Sequence, residues 1–134
     1  MKKIALYLIL IISTFSFAQK KSAAKELKEN TEKYTLYKTH AHASYYNDKF
    51  NGKRTASGRR FNNNKLTAAH KKFAFGTKLK ITNERNKKSV IVEVTDRGPF
   101  SKRREIDLTK RAFMKIASNK GSGSMKVKIE ILKN

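Results

Sequence analysis

Apolar and other side chains alternate between Ser89 and Thr95, with Val90, Val92 and Val94 on one face and Ile91, Glu93 and Thr95 on the other. That two-residue period predicts a β-strand with one face more buried. The strand stops at Asp96-Arg97-Gly98-Pro99, where Pro99 is the only proline of the chain. Glycine favours a tight turn and proline has no amide hydrogen, so the ladder cannot continue. Residues 76–83 repeat the pattern, with Leu79 and Ile81 against Lys78 and Lys80, and residues 83–88 read as a hairpin connection. Residues 125–132 alternate Val127, Ile129 and Ile131 against Lys126, Lys128 and Glu130. Residues 40–46 alternate small and polar positions with aromatics, as a first strand would. Residues 66–70 are a short apolar segment ending in His70. A helical period occurs over residues 110–118, where Ala112, Phe113 and Ile116 form a stripe behind Thr109, a good N-cap. Several short strands and one helix predict a small β-barrel or sandwich with an inserted helix.

Composition changes the picture at the N-terminus. Lys2 and Lys3 precede a largely apolar run from Ile4 to Phe17, and Ser16-Phe17-Ala18 before Gln19 offers a small-x-small cleavage site. Residues 1–18 therefore read as a signal peptide, 19–38 as a basic polar linker or marginal helix, and 39–134 as the domain. The chain contains no cysteine, so neither a lipidated N-terminus nor a disulfide framework is expected. The expected location is the periplasm or cell envelope, after export, without a stable membrane anchor. Formal net charge is +22, and the first eighteen residues hold only two of the positive charges. Such a field attracts polyanions, and export disfavours nucleic acid among them. Anionic wall polymers fit better. With only ten acidic residues in the chain, few carboxylates can do acid/base work.

Asp96 stands out because a carboxylate at the end of a rigid strand is held by the fold and open to a groove. It either carries chemistry or merely caps the turn and pairs with Arg97. His70 ends an apolar segment, where a histidine either serves a site or satisfies a buried backbone group. His40 and His42 have the spacing of a metal pair, but without a third ligand no metal is expected. Tyr45, Tyr46 and Phe50 suit either a sugar-stacking platform or the core. Thr55 and Ser57 are possible hydroxyl donors to a substrate. Asp107, just before the helix, fits an arginine partner or a helix start better than catalysis, and Glu93 alternates away from Asp96.

Six blocks, taken in order, resemble the rare lipoprotein A (RlpA-like) family of double-psi β-barrel domains. They are ASYY at 43–46, TASG at 55–58, LTAAHK at 66–71, FGTKLKITN at 75–83, VTDRGPF at 94–100 and IDLT at 106–109. The resemblance implies a mainly β fold, a small six-stranded double-psi barrel with one or two short helices and a groove across it. It implies an endolytic peptidoglycan lytic transglycosylase, a carbon–oxygen lyase of cell-wall degradation that cleaves naked glycan strands, leaves anhydro-muramic acid ends and uses no cofactor. It also implies catalytic roles for Asp96 and His70. The family's third residue, a glutamate directly after the TASG block, is here Arg59, which can be neither acid nor base at neutral pH. The alternative implied is a peptidoglycan- or polysaccharide-binding barrel with weakened or absent turnover. In the catalytic reading His70 hydrogen-bonds Asp96 or the sugar, and Asp48 is the nearest carboxylate in sequence to the missing glutamate. Tyr45, Tyr46, Thr55, Ser57, Arg59 and Arg97 are the expected substrate contacts. The expected partners are glycan strands and, beyond them, wall or division proteins, with the protein itself a monomer.

Overall fold

In a computed structural model, residues 2–134 are described, with side chains from Thr14 onward. The chain divides into two units. The first, ending at Lys33, is one helix, α1 (Lys2–Lys33). The expected signal peptide falls largely on residues whose side chains lie outside the described set. Among the described residues no helix is long and apolar enough to cross a membrane.

The second unit, Tyr34–Asn134, holds six strands and the helix α2. The strands are β1 (Tyr34–Tyr45), β2 (Thr67–His70), β3 (Lys78–Asn83), β4 (Ser89–Asp96), β5 (Ile106–Leu108) and β6 (Ser124–Leu132). They close a barrel in the order β1-β5-β2-β4-β3-β6. Two of the six pairings, β1 with β5 and β2 with β4, are parallel, so the chain must cross over rather than turn back to make them.

The alternation seen in the sequence is the burial pattern of the strands. Val90, Val92 and Val94 are buried with Leu79, Ile81, Val127 and Ile129 in one core, closed by Phe113 and Ile116 of α2 (Lys110–Ile116). Burying each such side chain stabilises by about 1.5–3 kcal/mol. Thr109 caps α2 by accepting from the Ala112 amide, and the side-chain Nδ2 of Asn83 donates to the Ile116 carbonyl at its other end. β1 begins at Tyr34, because Tyr34 to Leu36 pair with Leu132 to Glu130 of β6. Residues 34–38, expected in the linker, are thus strand. A register shift between Lys38 and Ala41 places His40 at φ 51, off the alternation that would have put it beside His42.

Candidate active site

β4 ends at Asp96, and three donors converge on its carboxylate. The Tyr46 hydroxyl donates to Oδ2 at 2.7 Å, while the backbone amides of Ala56 and Arg97 donate to Oδ1, each at 2.9 Å. A carboxylate has about four acceptor positions, so one on Oδ2 is left open. The Ala56 amide is aimed by the 55–58 turn. In that turn the Gly58 amide donates to the Thr55 carbonyl at 2.9 Å, and Gly58 sits at φ 89, where any other residue is strained. The Tyr46 ring is wedged between Phe61, 4.4 Å away by centroid, and Phe50 at 5.7 Å. Burial, with Asp96 as acceptor, holds the phenol proton far above its usual range, so Tyr46 stays a donor.

Asp96 lines a groove of about 700 Å³. Tyr45, Tyr46, Phe50 and Phe100 give it apolar surface, and Lys49, Lys53, Arg54, Arg97 and Arg104 give it positive charge. Phe100 is 92% exposed. The groove also contains Asp107. Asp96 and Asp107 are both register partners of Ala69 on β2, one across β4 and one across β5. The two carboxylates therefore flank one alanine, two strand spacings or about 10 Å apart at the backbone. Asp107 accepts from the Ser44 hydroxyl at 2.8 Å and faces Arg104 at 3.5 Å. The arginine partner expected for Asp107 is present. Its place in the groove was not expected, because nothing in the linear sequence says that β5 and β4 flank the same residue of β2.

His70 is fully buried and is not in this groove. Its Nδ1 accepts from the amides of Lys72 and Phe73, and its Nε2 meets Glu105 Oε1 at 3.0 Å. No hydrogen bond joins it to Asp96; its side-chain partner is Glu105, thirty-five residues further along the chain. Burial lowers the affinity of His70 for a second proton, against the opposing pull of Glu105. Burial pushes the Glu105 carboxyl up, but Lys38 and His70 outweigh that and hold it below its usual range.

The remaining expected contacts divide. Tyr45 and Tyr46 line the groove, Tyr45 also packing on Phe113 at 4.7 Å, so each is both wall and core. Arg97 lines it too, but its guanidinium is turned to the carbonyl of Phe73 at 2.8 Å and the ring of Phe75 at 4.1 Å. Thr55 and Ser57 bond each other at 2.8 Å, and Thr55 also donates to the Arg59 carbonyl, so both hydroxyls shape the turn. Arg59 points away from the groove and pairs with Glu93 Oε1 at 2.8 Å, which keeps the Glu93 carboxyl ionised below its usual range. Asp48 accepts from the Asn63 side chain at 2.8 Å and does not line the groove, so it does not take the place of the missing glutamate. His40 Nδ1 pairs with Glu84 at 2.7 Å. Among the described residues no group of three ligating side chains could hold a metal.

A closed six-stranded barrel with a groove across it, and a carboxylate held at a strand end in that groove, is the architecture of a double-psi β-barrel domain. The chain belongs to the lytic transglycolase family, whose profile matches residues 38–129. It is similar to the endolytic peptidoglycan transglycosylase RlpA of Rickettsia felis, at 51% identity over 96 residues, 69% of this chain and 42% of that one. The RlpA of Rickettsia typhi is 46% identical over 117 residues, 85% of this chain and 36% of that one. The chain thus spans less than half the length of these curated relatives. Among solved structures, an expansin of Clavibacter michiganensis in complex with cellohexaose superposes with a TM-score of 0.57 at 18% identity, over 71% of this chain and 50% of that one. That likeness concerns the fold alone.

Proposed function

We propose that the protein is a cell-wall lyase that cleaves peptidoglycan glycan strands outside the cytoplasm, in the periplasm, with Asp96 as the reacting carboxylate. The observation that carries this reading is the fixed orientation of Asp96 in an open groove: three donors hold its carboxylate, leaving one acceptor position on Oδ2 unfilled, and Asp96 lines the groove. Family membership and RlpA relatives support the same reaction.

In that reaction the C1–O4 bond breaks and the leaving O4 receives a proton. The muramic C6 hydroxyl oxygen then bonds to C1 and gives up its own proton. No water is consumed, so one carboxyl group can serve as acid and then as base. Asp96 occupies that role. Asp107, on the other side of Ala69, adds a second negative charge to the groove, suited to steadying the positive charge that develops on the sugar ring. The aromatic walls give stacking surface for pyranose faces, and the cations of the groove attract carboxylate-bearing strands.

A second reading is a binding barrel without turnover. It is favoured by Arg59, which stands where the resemblance expects a glutamate and is tied to Glu93 outside the groove. Incubation with peptide-free glycan strands, followed by mass spectrometry, separates the two. Anhydro-muramic ends that disappear in Asp96→Asn support the lyase. Strand binding without any new ends, in both proteins, would support the binder.

A further inference from the structure

Behind Asp96 lies a second set of polar contacts that meets the groove lining at Arg97. The Arg97 guanidinium donates to the carbonyls of Phe73 at 2.8 Å and His70 at 3.4 Å, and stacks on Phe75. It ties the Asp96-Arg97 corner to the 71–75 loop. That loop is in turn held from inside by His70, whose Nδ1 accepts from the amides of Lys72 at 3.1 Å and Phe73 at 3.4 Å. An imidazole nitrogen that accepts two amides carries no proton, so the ring proton must be on Nε2. Nε2 meets Glu105 Oε1 at 3.0 Å. Glu105 is fixed from β1 by Lys38 Nζ at 2.9 Å and the Tyr37 hydroxyl at 3.4 Å. The Tyr37 and Phe73 rings close over the imidazole at 5.6 and 4.3 Å between centroids.

We propose that Glu105 and His70 are a positioning pair: Glu105 selects the Nε2–H tautomer of His70, its bare Nδ1 fastens the 71–75 loop, and through Arg97 that loop presents Asp96 to the groove. The proposal rests on the reading of Asp96 as the reacting carboxylate, and neither His70 nor Glu105 touches substrate. A proton on Nδ1 would turn its acceptor into a donor facing two amides, and the loop would lose its fastening. The charged and titratable groups around His70 are Glu105 with Lys38 and Tyr37 behind it, Lys71, Lys72, and Arg97 on the His70 carbonyl.

The experiment uses the whole chain with Glu105→Gln, which keeps an acceptor without the charge, and Glu105→Leu, which keeps neither. Three readouts are taken: ring ¹⁵N shifts of His70, amide hydrogen exchange at Lys72 and Phe73, and kcat and KM on peptide-free glycan strands. The native chain and Glu105→Gln are expected to hold the Nε2–H tautomer with slow exchange at both amides. Glu105→Leu is expected to exchange faster there and to lose about 10- to 100-fold in kcat, as small misplacements of a reacting group do, with KM little changed. In Glu105→Gln the acid loss of kcat shifts to lower pH, because the carboxylate charge that favours the imidazolium is gone. An Nδ1–H tautomer in the native chain would overturn the pair, as would native kcat and exchange in Glu105→Leu. If Glu105→Leu fails to fold, the Glu105→Gln pH profile decides: an unmoved acid limb rejects the proposal. If the native chain turns over no glycan, the reading of Asp96 fails, while tautomer and exchange still judge the pair.

Discussion

Replacing Tyr46 by phenylalanine removes one atom from the site and very little else. The ring keeps its place between Phe61 and Phe50, so core packing is retained. What is lost is the 2.7 Å hydrogen bond to Asp96 Oδ2. A hydrogen bond to a charged group is worth about 1.5–3 kcal/mol. Tyr46 and Asp96 both line an open groove, so water replaces the phenol in the resting protein, and the stability loss should stay below about 1 kcal/mol, or about 4–8 °C in Tm. Turnover is affected more, because the substrate displaces that water and Asp96 must then hold its angle with one donor fewer. If the whole bond energy is expressed in the transition state, kcat falls about 10- to 100-fold. The assay is release of anhydro-muropeptides from peptide-free strands across a substrate series, with Tm from circular dichroism. Tyr46→Phe with native kcat would refute the claim that Tyr46 orients Asp96, and a KM effect alone would recast it as a sugar contact.

Further outcomes are expected elsewhere in the chain. Gly58→Ala meets no steric neighbour but forces alanine to φ 89, so it should destabilise by about 1–2 kcal/mol and lower turnover by disturbing the Ala56 amide; thermal melts and the same assay check both. Asn83→Ala strips the buried bond to the Ile116 carbonyl and should destabilise by about 1–3 kcal/mol in urea titrations while leaving kcat unchanged, since Asn83 is outside the groove. His70 takes up a proton less readily in the fold than at its ordinary value of 6.5, so the unfolded chain binds more protons as pH falls through 6.5. The contribution of His70 to stability is therefore full above that value and declines below it. Tm measured from pH 8 to pH 5 should fall more in the native chain than in His70→Gln, and equal slopes would contradict the assignment.

Period carried most of the fold. Val90, Val92 and Val94, and likewise Val127 and Ile129, are buried as their alternation predicts. β5 is three residues long, too short for a period to register, and Tyr34–Lys38, whose Tyr34, Leu36 and Tyr37 show no strict two-residue alternation, is strand through its pairing with β6 across the barrel. At the site, Asp96 was legible because a strand visibly ends there. Tyr46 was legible only as an aromatic, since its link to Asp96 spans fifty positions of sequence. The position of His70 behind the groove depends on two loop amides and on Glu105, thirty-five residues away, and no local pattern reports that. Asp107 reaches the groove only through the crossover that sets β2 between β4 and β5.

The most direct test of Asp96 as the agent of a water-free cleavage is digestion of peptide-free glycan strands in H₂¹⁸O, native chain beside Asp96→Asn, with the new ends weighed by mass spectrometry. Intramolecular attack by the C6 hydroxyl predicts anhydro ends that carry no ¹⁸O and that vanish in Asp96→Asn. Ends bearing ¹⁸O would mean hydrolysis, and unlabelled ends persisting in Asp96→Asn would mean that the reaction belongs to another residue.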